Sequence, residues 1–113
     1  MLHSTIPAYV TQWANEIPDQ VWLRDRQGDS FQEWTWRQAK DEIDAAASWF
    51  EDQFPAQTRV AILSRNCAHW ILADYAVISA GNISVPLFTT MAPDVAEYII
   101  NFAEVDVPHF HII

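Results

Sequence analysis

The chain has 113 residues and a mass of 13.0 kDa, which is enough for one small domain around one hydrophobic core. Half of the residues are hydrophobic, so the chain is not expected to be disordered. Fifteen acidic residues oppose six basic ones, and the net charge of −9 argues against binding to nucleic acid or to an anionic membrane surface. With two glycines and the single lysine Lys40, the sequence cannot form a glycine-rich phosphate loop.

Three further features bear on the compartment. The one cysteine, Cys67, cannot form an internal disulfide, which suits a reducing environment. No run reaches ~18 apolar residues, so no transmembrane segment is predicted. The first residues have neither the charged start nor the apolar run of a signal peptide. We therefore expect a cytoplasmic protein.

The first half of the chain is predicted to contain a helix and a β-hairpin. The helix spans residues 5–17 and can be capped by Ser4 or Thr5. Two strands follow over residues 21–25 and 31–35, joined by a turn-rich stretch centred on Gly28.

A second helix is predicted to start after Thr35, which forms a capping box with Gln38, and to end before Pro55. Apolar residues recur at helical spacing along one face of this segment and charged residues fill the other. The apolar stripe consists of Trp36, Ala39, Ile43, Ala46, Ala47, Phe50 and Phe54.

Strands and helices alternate in the second half. The predicted elements are a strand at 59–64, a helix at 67–80 capped by Asn66, a strand at 83–88, a helix starting at Pro93 and a strand at 107–113. Thr90 or Ala92, rather than serine, precedes Pro93, so the fourth helix is expected to be capped less well. Its inner face is predicted to consist of Val95, Tyr98, Ile99 and Phe102.

This order predicts an α/β fold, in which a hairpin and helices precede a parallel β-α-β-α-β unit with right-handed crossovers. We expect a single domain over residues 1–113, with a helix–hairpin–helix portion at 1–58 and the parallel portion at 59–113. Because the sequence stops within an apolar strand, the chain is expected to be truncated.

Several side chains in the sequence are of types that can form catalytic or metal sites. His109 and His111 lie two apart on a strand and could share a metal, but no carboxylate or cysteine is near in sequence, and a polar strand face is the favoured interpretation. Asp74 lies in an apolar helix, where it is either a poised acid or, as we favour, a largely buried carboxylate that accepts hydrogen bonds. Ser64 lacks the Gly-x-Ser-x-Gly setting of a hydrolase nucleophile.

Three other motifs are interpreted as structural. Cys67 begins a helix, where a thiol can be activated, but a lone cysteine is more often a small core residue. Asn82-Ile83-Ser84 matches a glycosylation acceptor, which a cytoplasmic chain does not use. The tryptophans on apolar helical faces are predicted to belong to the hydrophobic core rather than to a cofactor-binding site. No catalytic, cofactor-binding or metal-binding residue is predicted.

A set of residues in the second half resembles the adenylate-forming (AMP-binding) enzymes. The set consists of Leu63-Ser64-Arg65-Asn66, Trp70, Asp74, Ala80-Gly81 and Val85-Pro86-Leu87. The segment WTWRQAK at residues 34–40 is similar to the first core motif of that family, and ISAGNISVP at 78–86 is similar to the second. Within the family the chain looks most like the long-chain fatty-acyl-CoA synthetases, a choice that depends mainly on the Ser64-x-Asn66, Trp70 and Asp74 set.

The resemblance implies that the chain is the N-terminal segment of a larger ligase, whose substrates are a fatty acid, ATP and CoA and whose chemistry needs Mg²⁺. Such an enzyme joins a carboxylate to the α-phosphate of ATP and then transfers the acyl group to CoA. The family's phosphate loop and catalytic lysine lie beyond Ile113, so the segment alone is expected to be inactive and to hold no cofactor. The resemblance also leaves open a peripheral association of the parent enzyme with the inner face of the membrane.

The alternative is a free-standing acidic interaction module without catalysis. As a truncated segment, the chain is expected to self-associate as a dimer or higher oligomer, because a chain cut at this point exposes strand edges and apolar helix faces.

Overall fold

The computed structural model describes the backbone of residues 5–105 and 107–112 and the side chains of residues 5–105. The described part contains four helices and five strands in an α/β arrangement, as predicted. In chain order they are α1 (Ile6–Glu16), β1 (Val21–Gln27), β2 (Ser30–Thr35), α2 (Trp36–Gln53), β3 (Arg59–Ser64), α3 (Ala68–Ser79), β4 (Ile83–Phe88), α4 (Pro93–Phe102) and β5 (Val107–Ile112).

The hairpin β1–β2 is tighter than the sequence predicted. The strands pair antiparallel up to Gln27 and Ser30, so that Gly28 and Asp29 alone form the turn. Gly28 has a φ of 63°, a conformation that a two-residue hairpin turn requires at its first central position and that glycine adopts without steric cost. The predicted five-residue turn is therefore wrong, because the strand pairing continues into it.

Both helices of the first half begin as predicted. The Thr5 side chain caps α1 by accepting a hydrogen bond from Ala8 N at 3.2 Å. At α2 the capping box is complete: Gln38 N donates to Thr35 Oγ1 at 3.1 Å, and Thr35 N donates to Gln38 Oε1 at 2.9 Å. The apolar stripe of α2 then turns into the core, where Ala39, Ile43, Ala47 and Phe50 are buried.

The second half forms a parallel sheet with the strand order β4-β3-β5. The central strand β3 is the most buried, with Val60, Ala61 and Ile62 fully inaccessible to solvent. Helix α3 packs against α2 and α1 and joins the hairpin portion to this sheet through one continuous hydrophobic core. Among the described residues, no helix combines the length and the apolar character needed to cross a membrane.

The start of α3 corrects the predicted Asn66 cap. The N-cap residue is Cys67, whose side chain makes no capping hydrogen bond. Instead, a carboxylate from the hairpin supplies an acceptor: Ala68 N donates to Asp25 Oδ2 at 3.4 Å. The helix end is satisfied by a residue 43 positions earlier, which helical periodicity in the sequence cannot indicate.

The expected inner face of α4 is also corrected. Tyr98 is 66% exposed and Phe102 is 77% exposed, with their rings stacked on each other at 5.9 Å. Val95 is exposed as well, and Ile99 alone of the predicted set is half-buried. As the unusual residue before Pro93 suggested, the N-cap Ala92 provides no side-chain acceptor.

Candidate functional site

The carboxyl edge of the parallel sheet is where open α/β sheets bind their ligands, outside the ends of the strands. At this edge β3 is followed by exposed Arg65 and Asn66, and β4 by exposed Thr89 and Thr90. These side chains offer one cation, an amide and two hydroxyl groups. None of these four side chains is a general acid or base, or a nucleophile with an adjacent base, so among them they offer groups that can orient a polar ligand.

Ser64 and Cys67 lie next to this edge but are buried. The Ser64 hydroxyl is completely inaccessible and donates to the Arg65 carbonyl at 2.8 Å. Its Oγ also lies 3.7 Å from the Sγ of Cys67, which is 6% exposed. These contacts fix the turn between β3 and α3, so both side chains act in the structure as packing and hydrogen-bonding groups.

Asp74 is paired with a hydroxyl, as predicted, but it is only half-buried rather than largely buried. Its Oδ1 accepts a short hydrogen bond from Ser84 Oγ, which joins α3 to β4. The neighbouring Tyr75 has a raised pKa, first because burial disfavours its anionic form and second because the Asp74 charge repels that anion. The hydrogen bond between Asp74 and Ser84 therefore links a helix to a strand, which is a structural role.

Replacing Asp74 with alanine is expected to lower the free energy of unfolding by about 1–3 kcal/mol, because the Ser84 hydroxyl loses a charged acceptor. Asp44→Ala is the matched control, since Asp44 is also helical but forms an exposed pair with Lys40 and should cost less than about 0.5 kcal/mol. Urea unfolding followed by circular dichroism measures both values. Equal midpoints for the two variants would contradict the role given to Asp74.

Three of the tryptophans in the first half, Trp13, Trp22 and Trp36, form a packed cluster between elements. The rings of Trp22 and Trp36 stack at 4.2 Å with an interplanar angle of 3°, and Trp22 also meets Tyr75 of α3 at 5.5 Å. The cavity beside them, also lined by Trp13, has a volume of about 170 Å³. Because ligand sites usually measure about 300 Å³ or more, this cluster is core rather than a cofactor box.

The remaining candidates are separated from one another. Asn82 is 7% exposed, and its Nδ2 donates to the Pro55 carbonyl at 2.9 Å, so the folded chain does not present it as a glycosylation acceptor. No group of three or more potential metal ligands occurs within the part of the chain whose side chains are described. The side chains of His109 and His111 lie outside that part.

Two contacts were missed by the sequence analysis. The sequence predicts Asp25 only as the last residue of a strand, yet its carboxylate accepts a hydrogen bond from Ala68 N in the first turn of α3. Nothing in the sequence pattern around His69 predicts a contact, yet its ring packs edge-on against Trp34 at 5.3 Å. Neither contact has a local signature, because each joins residues more than 30 positions apart.

The described residues do not fit the phosphates of ATP. Gly28 lies at the hairpin tip, and Gly81 lies between the end of α3 and the start of β4, so neither is at the carboxyl edge of the sheet. Lys40 is engaged with Asp44 at 2.5 Å on α2. No step of nucleotide chemistry can therefore be assigned to these side chains.

Comparison with known proteins identifies a family to which this sequence is similar. The family model described as "AMP-binding enzyme" matches residues 10–108. The long-chain-fatty-acid–CoA ligase ACSBG2 of Xenopus laevis is 28% identical over 104 residues, which are 91% of this chain and 14% of that protein. The peroxisomal acyl-CoA ligase 891 of Penicillium brevicompactum is 40% identical over 52 residues, which are 46% of this chain and 7% of that protein. The chain thus spans a small part of these relatives.

Solved structures agree on the fold. The fatty acid AMP ligase from Legionella pneumophila superposes with a TM-score of 0.83 at 19% identity, covering 94% of this chain and 19% of that chain. IdnL1 superposes with a TM-score of 0.87 at 15% identity, covering 98% of this chain and 23% of that chain. Since the family model covers most of the sequence, the chain belongs to the AMP-binding enzyme family.

Proposed function

We propose that the chain is the N-terminal segment of a fatty-acyl-CoA ligase. The parent enzyme would activate a fatty acid with ATP and Mg²⁺ and pass the acyl group to CoA, in the cytoplasm. The observation that carries this proposal is the family match over residues 10–108, together with the similarity to a long-chain-fatty-acid–CoA ligase over 104 residues.

The role of this segment in that enzyme is to build the sheet rather than to carry out the reaction. It supplies three parallel strands, with β3 buried at their centre. It also supplies helices α2 and α3, which pack against each other. Asp25, Asp74 and Ser84 connect these elements. The groups for adenylation and thioester formation would come from residues after Ile113.

The alternative, an interaction module without catalysis, also accounts for the acidic charge and the exposed apolar side chains of α4. The two proposals differ in what the complete reading frame encodes. The ligase requires a Thr/Ser/Gly-rich loop with a lysine within ~200 codons after Ile113, since phosphate binding depends on such a loop. The module requires none.

The purified 113-residue chain is expected to show no fatty-acid-dependent ATP–pyrophosphate exchange, because it lacks the positioned cations and backbone donors that stabilise phosphoryl charge. The protein encoded by the complete reading frame is expected to show it with the same fatty acids. Radiolabelled pyrophosphate incorporation into ATP measures both, and circular dichroism first confirms that the short chain is folded.

Exchange by the short chain above the enzyme-free blank would contradict its assigned structural role. A complete reading-frame product that activates no fatty acid would contradict the ligase itself. A reading frame that ends at Ile113 would favour the interaction module.

A further inference from the structure

The packing of α2 against α3 leaves a groove on the surface, and the sequence explains why. Three residues of each helix line it at the spacing i, i+3, i+4, which places them on one face of their helix. Three of these six are alanines, so the helix surfaces are separated by space that larger side chains would fill. This α2–α3 groove has a volume of about 520 Å³ and is lined by Glu42, Ala45, Ala46, His69, Leu72 and Ala73.

A second, polar depression adjoins the groove. It measures about 340 Å³, and Glu42 lines both spaces. Glu33 and Asp41 also line it, so three carboxylates surround it; this set is the acidic rim. Glu33 forms an ion pair with Arg24 at 2.6 Å, whereas no described cation pairs with Asp41 or Glu42.

The two spaces are about one helical turn apart. Along α2, the residues facing the acidic depression centre on Asp41 and those facing the apolar groove on Ala45, a separation of about 6 Å at 1.5 Å per residue. Neighbouring side chains on one face of a partner helix have the same separation. An amphipathic helix could therefore place an apolar residue in the groove and the next residue of that face at the rim.

We propose that the α2–α3 groove and the acidic rim form a docking site for an amphipathic helix of a partner protein. The partner would present a large apolar side chain, such as leucine, and a lysine or arginine one turn away. Charge complementarity selects this occupant: two unpaired carboxylates at the rim attract a cation, and the chain as a whole carries a charge of −9. A second copy of this chain would instead bring its own acidic surface to the rim.

The probe for this site is a synthetic 18-residue helix of leucine and lysine with leucines at i, i+3, i+4 and i+7 spacing. Two matched peptides serve as controls, one with serine in place of leucine and one with glutamate in place of lysine. Binding to the full 113-residue chain is measured by calorimetry at physiological salt, where charges more than ~8 Å apart are screened. Changes in the amide NMR chemical shifts of the ¹⁵N-labelled chain show which residues contact the bound peptide.

The decisive comparison is Glu42→Lys against Glu51→Lys. Both residues are exposed on α2, and both changes move the net charge from −9 to −7, but nine residues place them on opposite sides of the helix. We expect Glu42→Lys to weaken binding of the leucine–lysine peptide at least tenfold and Glu51→Lys to change it less than about twofold. Ala45→Arg, at an exposed position in the groove, should also weaken binding at least tenfold while leaving the circular dichroism spectrum unchanged.

Equal losses in the Glu42 and Glu51 variants would show attraction by overall charge and overturn the proposal. Full binding by the serine peptide, or amide shifts outside α2 and α3, would overturn it as well. If no peptide binds and Ala45→Arg instead abolishes self-association, the occupant is a second copy and the proposed partner is wrong.

Discussion

Replacing Trp34 with alanine is expected to lower the free energy of unfolding by about 3–5 kcal/mol. Trp34 is 3% exposed in β2, and its ring meets His69 of α3, so the truncated residue would leave a cavity between the hairpin and the second half of the chain. For a chain of this size the loss corresponds to a decrease in Tm of about 12–20 °C. Such a loss is a large fraction of the 5–15 kcal/mol that stabilises an ordinary domain.

The same variant tests whether residues 1–58 and 59–113 form one domain. If they do, tryptophan fluorescence and far-ultraviolet circular dichroism will report one coincident transition in both the wild type and Trp34→Ala. Trp49→Ala is the control, because Trp49 is 48% exposed on α2 and its loss, mainly of edge-on contacts with Phe50 and Phe54, should cost only about 1–2 kcal/mol. Two separate transitions, with only the first displaced by Trp34→Ala, would mean that the portions unfold independently.

The elements that the sequence predicted well are those whose signals lie within a few residues. Thr35 and Gln38 are three positions apart and satisfy each other's backbone donors, so the start of α2 follows from local chemistry alone. The buried run of β3 is similar, because a strand covered on both faces has a continuous apolar sequence. The alternation of strands and helices likewise predicts that β3, β4 and β5 are parallel. It does not predict the order β4-β3-β5, because right-handed crossovers are compatible with more than one order.

The predictions that failed depended on distant partners. Asn66 is a good cap by residue type, but Asp25 reaches α3 from another element and supplies the acceptor. Tyr98 and Phe102 have the spacing of a core face, yet whether such a face is buried depends on an element that packs over it. The α2–α3 groove also could not be predicted from the sequence. The spacing of the alanines shows which residues share a helix face, but not which helix lies opposite that face.

The exposed side chains of α4 lead to the second large effect. Val95, Tyr98 and Phe102, which we call the α4 face, lie at i, i+3 and i+7 and are 45–77% exposed. On β4, an outer strand of the sheet, Phe88 is also 49% exposed. Contiguous apolar patches larger than a few hundred Å² are rare on soluble monomers, and an open strand edge can pair with another chain. We therefore expect the 113-residue chain to form a dimer or higher oligomer at micromolar concentration.

Salt should tighten this association. The charge of −9 on each chain opposes contact, but salt screens that repulsion over about 8–10 Å, whereas burial of apolar surface contributes about 25 cal/mol per Å² at any ionic strength near physiological. Phe102→Lys changes the net charge from −9 to −8 and so weakens the repulsion, yet it should shift the chain toward monomer because it places an ammonium group in the α4 face. Val21→Lys makes the same change of charge at a 43% exposed residue of β1 and should leave the oligomer intact. Static light scattering at low and high salt measures all three proteins, and a wild-type mass of 13.0 kDa under both conditions would refute self-association.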